Sequence, residues 1–142
     1  MACASHERRP PRIFREVIVA PYEPIRLGEP LALKTPRTVA LPDGRLALAE
    51  GAVPNADSVY VNLAAGRVAT LTFIYPRSIN VDAALASYDS SLGWGSHAVT
   101  DSAGGRLERS VWQDSLTRFE FSRLTSDAGA PRIWATLVDR SH

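Results

Sequence analysis

One stretch of the chain, residues 80–93 with the sequence NVDAALASYDSSLG, carries a helical pattern of apolar side chains. Asn80 can cap its start, because an asparagine side-chain oxygen can accept a hydrogen bond from a first-turn N–H. Gly93 follows the last apolar position, and glycine readily takes the left-handed conformation that ends many helices. The stretch therefore predicts one principal helix at about 80–92. Its apolar stripe consists of Val81, Ala84, Leu85, Tyr88 and Leu92.

Strand patterns precede this helix. Residues 13–20 are apolar enough for a first strand, and the proline-rich segment that follows is expected to be irregular or to hold a short edge strand. Residues 38–41 and 45–49 flank a Pro-Asp-Gly turn, which indicates a hairpin. A second hairpin is predicted from 58–63 and 67–75, which are rich in β-branched and aromatic residues.

After the helix, the sequence predicts a loop at 93–106 and then a meander of three strands at 106–113, 117–124 and 132–139. The fold class expected from this order is α+β, with a mostly antiparallel sheet of about five to seven strands packed against one principal helix. We expect residues 1–12 to be a disordered tail and residues 13–140 to form a single domain.

Composition excludes several classes of protein. The net charge of +1 argues against binding to nucleic acid by phosphate neutralisation. No apolar run is long enough to suggest a membrane span. Cys3 is the single cysteine, so neither an intramolecular disulfide nor a Cys/His zinc cluster is expected. Nothing in the sequence indicates a metal or another cofactor, and we expect none.

Two residues that follow the helix are candidate binding residues. Trp94 lies between two glycines, and an exposed tryptophan there could contact a protein partner, a ligand or a lipid surface; the alternative is packing under the sheet edge. His97 is the one histidine within the predicted domain. It could act as a base beside a serine and Asp101, but no G-x-S-x-G motif is present, so an ordinary loop residue is the simpler interpretation.

Other motifs have simpler explanations. Residues 93–98 match the letters G-x-G-x-x-A, but a helix precedes them where a dinucleotide fingerprint needs a strand, so they predict a helix end and a flexible turn. Four acids at strand ends and outward faces are expected to be solvated or to pair with arginines on neighbouring strands, rather than to act as catalytic pairs. These acids are Asp101, Glu108, Asp114 and Glu120.

The N-terminal sequence M-A-C-A-S resembles the end of a bacterial lipoprotein signal, and the hairpin–helix–meander layout over 58–139 is similar to small α+β domains of bacterial cell-envelope lipoproteins. This resemblance implies a lipid on Cys3 and a location in the cell envelope or periplasm. The function expected is a non-enzymatic binding or structural module with a protein or small-molecule partner, touching the membrane only through that lipid. The alternatives are a cytoplasmic domain that binds a small ligand or a subunit, and a small hydrolase that uses His97.

Overall fold

The computed structural model describes residues 13–19, 23–31, 38–49, 51–127 and 129–141. The predicted tail at 1–12, with Cys3, lies outside these residues. Within them the chain forms ten strands and one helix. In chain order the elements are β1 (Glu16–Val19), β2 (Glu23–Arg26), β3 (Thr38–Ala40), β4 (Leu46–Leu48), β5 (Ser58–Ala64), β6 (Arg67–Tyr75), α1 (Val81–Leu92), β7 (Ser96–Ser102), β8 (Gly105–Gln113), β9 (Thr117–Ser126) and β10 (Arg132–Asp139).

Helix α1 begins where the sequence predicts it. The Asn80 side chain accepts a hydrogen bond from the backbone N–H of Ala83 at 3.1 Å, which satisfies one free donor of the first turn. Gly93 has the positive φ that favours glycine, 90°, but its ψ of 177° is extended, so the expected left-handed helix end is wrong. The chain therefore leaves the helix directly toward the next strand. In the described part of the chain, no helix has the length and apolar character needed to cross a membrane.

Eight strands form one antiparallel sheet in the order β3-β4-β5-β6-β10-β9-β8-β7. Strands β1 and β2 pair with each other as a separate ribbon. The α+β class with a mostly antiparallel sheet is confirmed, but the expected five to seven strands are too few. Helix α1 carries the chain from β6, inside the sheet, to β7 at its edge. The last three strands then fold back by hairpins until β10 lies beside β6.

The prediction of a loop at 93–106 is wrong for most of its length. Strand β7 occupies Ser96–Ser102 and pairs with β8 in an unbroken register. All seven residues of β7 are exposed, so the apolar alternation that reveals other strands is missing here. The loop after the helix is reduced to Gly93, Trp94 and Gly95.

One face of the sheet is buried against α1 and the β1–β2 ribbon. Tyr88 of the helix packs on Phe119 of β9 and on Trp112 of β8, with ring centroids 4.8 Å and 5.5 Å apart. Phe14, just before β1, packs edge-on against the same Phe119 at 5.0 Å. Trp112 is only 3% exposed and belongs to the core. This buried face fixes where the end of α1 meets β7 and β8.

An ion pair joins the N-terminal ribbon to the last strand. Arg15 donates to Asp139 at 2.7 Å and to Thr117 Oγ1 at 2.8 Å. The Asp139 side chain is 1% exposed. Burial alone would raise the pKa of Asp139, but hydrogen bonds from Arg15 and Ser141 outweigh it and hold that pKa at about 2.

Candidate functional site

Trp94 is 91% exposed, more than any other large apolar side chain in the described residues. It lies at the centre of residues 93–95, the tryptophan loop, between α1 and β7. A tryptophan packed under the sheet edge, the alternative expected from the sequence, does not match this exposure.

Both neighbours of Trp94 are held by hydrogen bonds. The backbone N–H of Gly95 donates to Asp89 Oδ1 at 2.8 Å. The indole N–H of Trp112 donates to the carbonyl oxygen of Gly93 at 3.0 Å. The tryptophan loop is therefore fixed to the helix on one side and to the core on the other, while the Trp94 side chain is free of the core.

Asp89 is the centre of this arrangement. Besides Gly95, its carboxylate accepts a hydrogen bond from Trp112 Nε1 at 3.1 Å and lies 3.0 Å from His97 Nε2. Burial by itself raises the pKa of Asp89, but hydrogen bonds from Gly95 and Trp112 and the nearby His97 more than offset it, so this pKa lies below its ordinary value. The carboxylate thus joins the last turns of α1 to β7 and β8.

His97 lies on strand β7 and not in a loop, which corrects the expectation from the sequence. Its Nδ1 is 2.7 Å from Ser110 Oγ on the facing position of β8, and its ring packs edge-on against Trp112 with centroids 5.7 Å apart. Both ring nitrogens therefore have partners, Ser110 on one side and Asp89 on the other. The three side chains form a continuous Asp–His–Ser chain of hydrogen bonds.

This chain has the composition of a nucleophilic triad but not the accessibility of one. Ser110 is 5% exposed, so a substrate carbonyl cannot reach its hydroxyl. Strand β8 is paired on both sides, with β7 and with β9, so its backbone N–H groups are engaged in the sheet and are not available as oxyanion donors. The arrangement fixes the position of β7 against the helix.

Two grooves border the Trp94 side chain. One, of about 430 Å³, is lined by Ala86, Asp89, Ser90 and Trp94. The other, of about 300 Å³, runs past Leu92, Ser96, Val111, Trp112 and Gln113. Edge strand β7 continues the same surface, and its central residue Val99 is 52% exposed. The tryptophan loop and β7 together form one exposed surface at the sheet edge.

The structure places the other candidate residues away from this surface or pairs them as expected. Glu108 pairs with Arg123, Glu120 with Arg109 and Asp101 with Arg106, so the expected cross-strand ion pairs are confirmed. Asp114 instead accepts backbone hydrogen bonds from Ile13, Leu116 and Thr117. Across the described ranges, no group of three acidic, histidine or cysteine side chains is placed to hold a metal ion.

The site contains two residues that sequence reasoning did not select, Asp89 and Ser110. Asp89 lies on the polar face of the helix pattern, where an acid is usually solvated, and Ser110 carries no motif. The local sequence does not single out either residue. Their contacts with His97 depend on the tertiary structure, in which α1 ends above β8.

A larger groove of about 570 Å³ lies at the start of β10, away from the tryptophan loop. Its lining is mostly apolar, with arginines among its residues. It includes Ile74, Arg77, Leu124, Pro131, Arg132 and Trp134. This groove contains none of the site residues predicted from the sequence.

Comparison with protein-family models, with curated proteins and with solved structures finds no match to this chain. Function is therefore inferred from the geometry of the tryptophan loop and its surroundings.

Proposed function

We propose that this protein is a non-enzymatic binding or structural module that docks a protein partner on the tryptophan loop. The observation that carries the proposal is the 91% exposure of Trp94 together with the hydrogen bonds that hold Gly93 and Gly95. Tryptophan is the side chain most enriched among residues that dominate binding energy, because it buries a large rigid surface on association.

Preorganisation strengthens this argument. A flexible loop loses conformational entropy when a partner orders it, and that loss reduces affinity. The backbone on both sides of Trp94 is already ordered by Asp89 and Trp112, so little of that loss remains. The neighbouring grooves give a partner concave surface on either side of the indole.

The proposal is tested by immobilising the full chain and passing over it both an extract of its source organism and a second, labelled preparation of the chain itself. Trp94→Ala should abolish retention of the specific partner, whichever of the two preparations supplies it. Val39→Ala is the matched control, because Val39 is 66% exposed but lies on β3 at the opposite edge of the sheet. Retention that is equal for the wild type and Trp94→Ala would contradict the proposal.

We also propose that a lipid on Cys3 tethers this module to the bacterial cell envelope. Support comes from the M-A-C-A-S sequence and from its separation from the domain by a polar segment that could serve as a tether. Expression of the gene with its upstream DNA, followed by intact-mass measurement and membrane fractionation, tests this tether. An acyl mass increase that Cys3→Ser removes is expected; an unmodified chain in the soluble fraction would favour the cytoplasmic alternative.

The alternative is a cytoplasmic domain that binds a small ligand or a subunit. The apolar groove beside Trp134 supports the small-ligand part of that alternative. Arg77 and Arg132 outnumber the one acid that lines the groove, Asp57, and would suit a ligand with an apolar body and an anionic end. Titration with a fluorescent fatty-acid analogue tests it, with Trp134→Ala expected to remove binding and Trp94→Ala expected to leave it unchanged. Equal binding by both variants and the wild type would contradict this alternative.

A hydrolase that uses His97 is the third candidate function, and the observation that favours it is the Asp89–His97–Ser110 chain. Incubation with a sulfonyl fluoride tests it, because that reagent modifies an activated serine hydroxyl. We expect no modification of Ser110, since its burial keeps the reagent away. Modification of Ser110 that His97→Ala prevents would make the enzyme the better proposal.

A further inference from the structure

The two edges of the main sheet differ in a way that bears on association. Strand β3, at one edge, has three residues and is followed by Leu41 and Pro42. Strand β7, at the other edge, has seven exposed residues in an unbroken register with β8. Proteins commonly protect edges with short strands, prolines, charged side chains (lysines above all) or bulges. Strand β7 has no proline, lysine or bulge, and Asp101 is its one acidic residue.

The sequence of β7 is nearly self-complementary. It reads Ser-His-Ala-Val-Thr-Asp-Ser from residue 96 to residue 102. If a second β7 runs antiparallel to it with Val99 opposite Val99, each serine faces a serine and Ala98 faces Thr100. His97 then faces Asp101 at two equivalent places across the two-fold axis. No like charges oppose each other in this register.

We infer that the partner of the tryptophan loop is a second copy of this chain, joined by antiparallel pairing of β7 with β7 about Val99. This inference rests on the proposed function, since it names the partner for the same surface. Such a contact is isologous, because the same residues are used on both copies. It joins the two main sheets into one continuous sheet and satisfies the backbone groups that β7 leaves at the edge.

The side chains of β7 fit this pairing on both faces. His97, Val99 and Asp101 share one face of the strand, and this face points toward the helix side of the sheet because His97 lies 3.0 Å from Asp89 of α1. The exposed Val99 side chains meet at the centre and bury each other. The opposite face carries only small side chains, which leave the strands free to approach: Ser96, Ala98, Thr100 and Ser102.

The same register gives Trp94 a place on the second copy. If the register is extended beyond β7, Trp94 of one copy lies opposite Gly104 of the other, in the turn between β7 and β8. No atom lies within 4 Å of where a Gly104 Cβ would be, so the space above this glycine is open. The indole of each copy would cover the glycine turn of the other, and the contact contains Trp94 at both ends and Val99 at its centre.

A single cysteine at the two-fold axis tests the register. In a Cys3→Ser background, Val99→Cys should form a disulfide-linked dimer under mild copper–phenanthroline oxidation, because directly opposed Cβ atoms lie about 4.5–5.5 Å apart. Thr100→Cys is the matched control on the same exposed strand. It faces Ala98 of the second copy, and its own counterpart lies diagonally, at about 7–8 Å. We expect its cross-linking to be much slower.

Sedimentation of the unmodified chain over a wide concentration range tests association itself. We expect the mass to rise toward twice the 15.4 kDa of one chain. Val99→Lys, which places two ammonium groups on the axis, should remain at the mass of one chain with an unchanged circular dichroism spectrum, and Val99→Thr should still associate. Association of Val99→Lys equal to that of the wild type would overturn the inference.

The failure of this inference can be told apart from the failure of the proposed function. A chain that stays at the mass of one copy at every concentration, without cross-linking of Val99→Cys, overturns the β7 pairing. So does Thr100→Cys cross-linking as fast as Val99→Cys. If Trp94→Ala nevertheless removes capture of a different protein from the extract, the proposed function stands with another partner.

Discussion

Gly95 lies so close to Trp112 that no larger residue fits between the tryptophan loop and the core. A Cβ added to Gly95 would lie 2.6 Å from both Cε2 and Nε1 of the Trp112 indole. The same indole N–H donates to Gly93 and to Asp89. One buried ring therefore sets the backbone on both sides of the exposed Trp94.

This contact predicts a specific sensitivity at Gly95. Gly95→Ala must push the Trp112 indole away from its partners, and we expect a loss of about 1–3 kcal/mol in the free energy of unfolding. Gly104→Ala is the control, because its Cβ meets nothing within 4 Å. Urea unfolding followed by circular dichroism measures both. Equal stability of the two variants would show that the loop is not held by this contact.

Asp89 is predicted to stabilise the fold in a way that depends on pH. Its pKa is lower in the folded state than its ordinary value of 3.8, so its stabilisation is present above that value and is lost as the pH falls below it. Asp89→Asn should lose about 1–3 kcal/mol near neutral pH, because the amide cannot accept all the hydrogen bonds of the carboxylate.

The control for Asp89 is Asp101→Asn, since the Asp101 side chain is 74% exposed and its oxygen lies 3.7 Å from Arg106. We expect that change to alter the free energy of unfolding by less than about 0.5 kcal/mol. Denaturant titrations at neutral and acidic pH measure both variants. The account of Asp89 is wrong if Asp89→Asn and Asp101→Asn have the same unfolding free energy at neutral pH.

Asp139 is predicted to make the free energy of unfolding depend on pH independently of Asp89. Its pKa is about 2 in the folded protein against an ordinary value of 3.8, which corresponds to about 2 kcal/mol of stability at neutral pH. That stability is lost as the pH falls from about 4 to about 2. Asp139→Asn should flatten the pH dependence over this window, whereas Asp127→Asn, at an exposed turn position, should leave it unchanged. If the unfolding free energy of Asp139→Asn depends on pH in the same way as that of the wild type, the ion pair with Arg15 does not supply this stability.

Trp94→Ala is predicted to leave stability unchanged. The side chain is 91% exposed, so its removal uncovers no core, and the expected change in unfolding free energy is within about 0.5 kcal/mol. Thermal unfolding of the wild type and Trp94→Ala, at a concentration low enough to prevent association, checks this. A large drop in the melting temperature would mean that Trp94 is structural, and its role in binding would lose support.

Much of the meander could be predicted from the sequence, because apolar and polar residues alternate along a strand that has one face buried. Phe119 and Phe121 are buried while Glu120 between them is only half-buried, and the strand there was expected. Asn80 likewise marked the start of the helix. Strand β7 could not be found in this way, since both of its faces are exposed and its pairing with β8 leaves no apolar signature.

The candidate site was predictable only in part. The position of Trp94 between two glycines, and the presence of one histidine, His97, in the predicted domain, indicate these two residues as candidates. Asp89 and Ser110 acquire their roles from long-range geometry: the helix must end above β8 before its acid can reach the histidine. Local sequence patterns do not predict this long-range contact.

The central claim is that a partner docks along the tryptophan loop and β7, and amide hydrogen exchange of the complex tests it most directly. Exchange is compared between the dilute chain and the chain in its complex, formed at high concentration or recovered by capture. We predict slower exchange in β7, Ser96–Ser102, and unchanged exchange in the opposite edge strand, Thr38–Ala40. Unchanged exchange throughout β7, or protection confined to β3, would contradict the account.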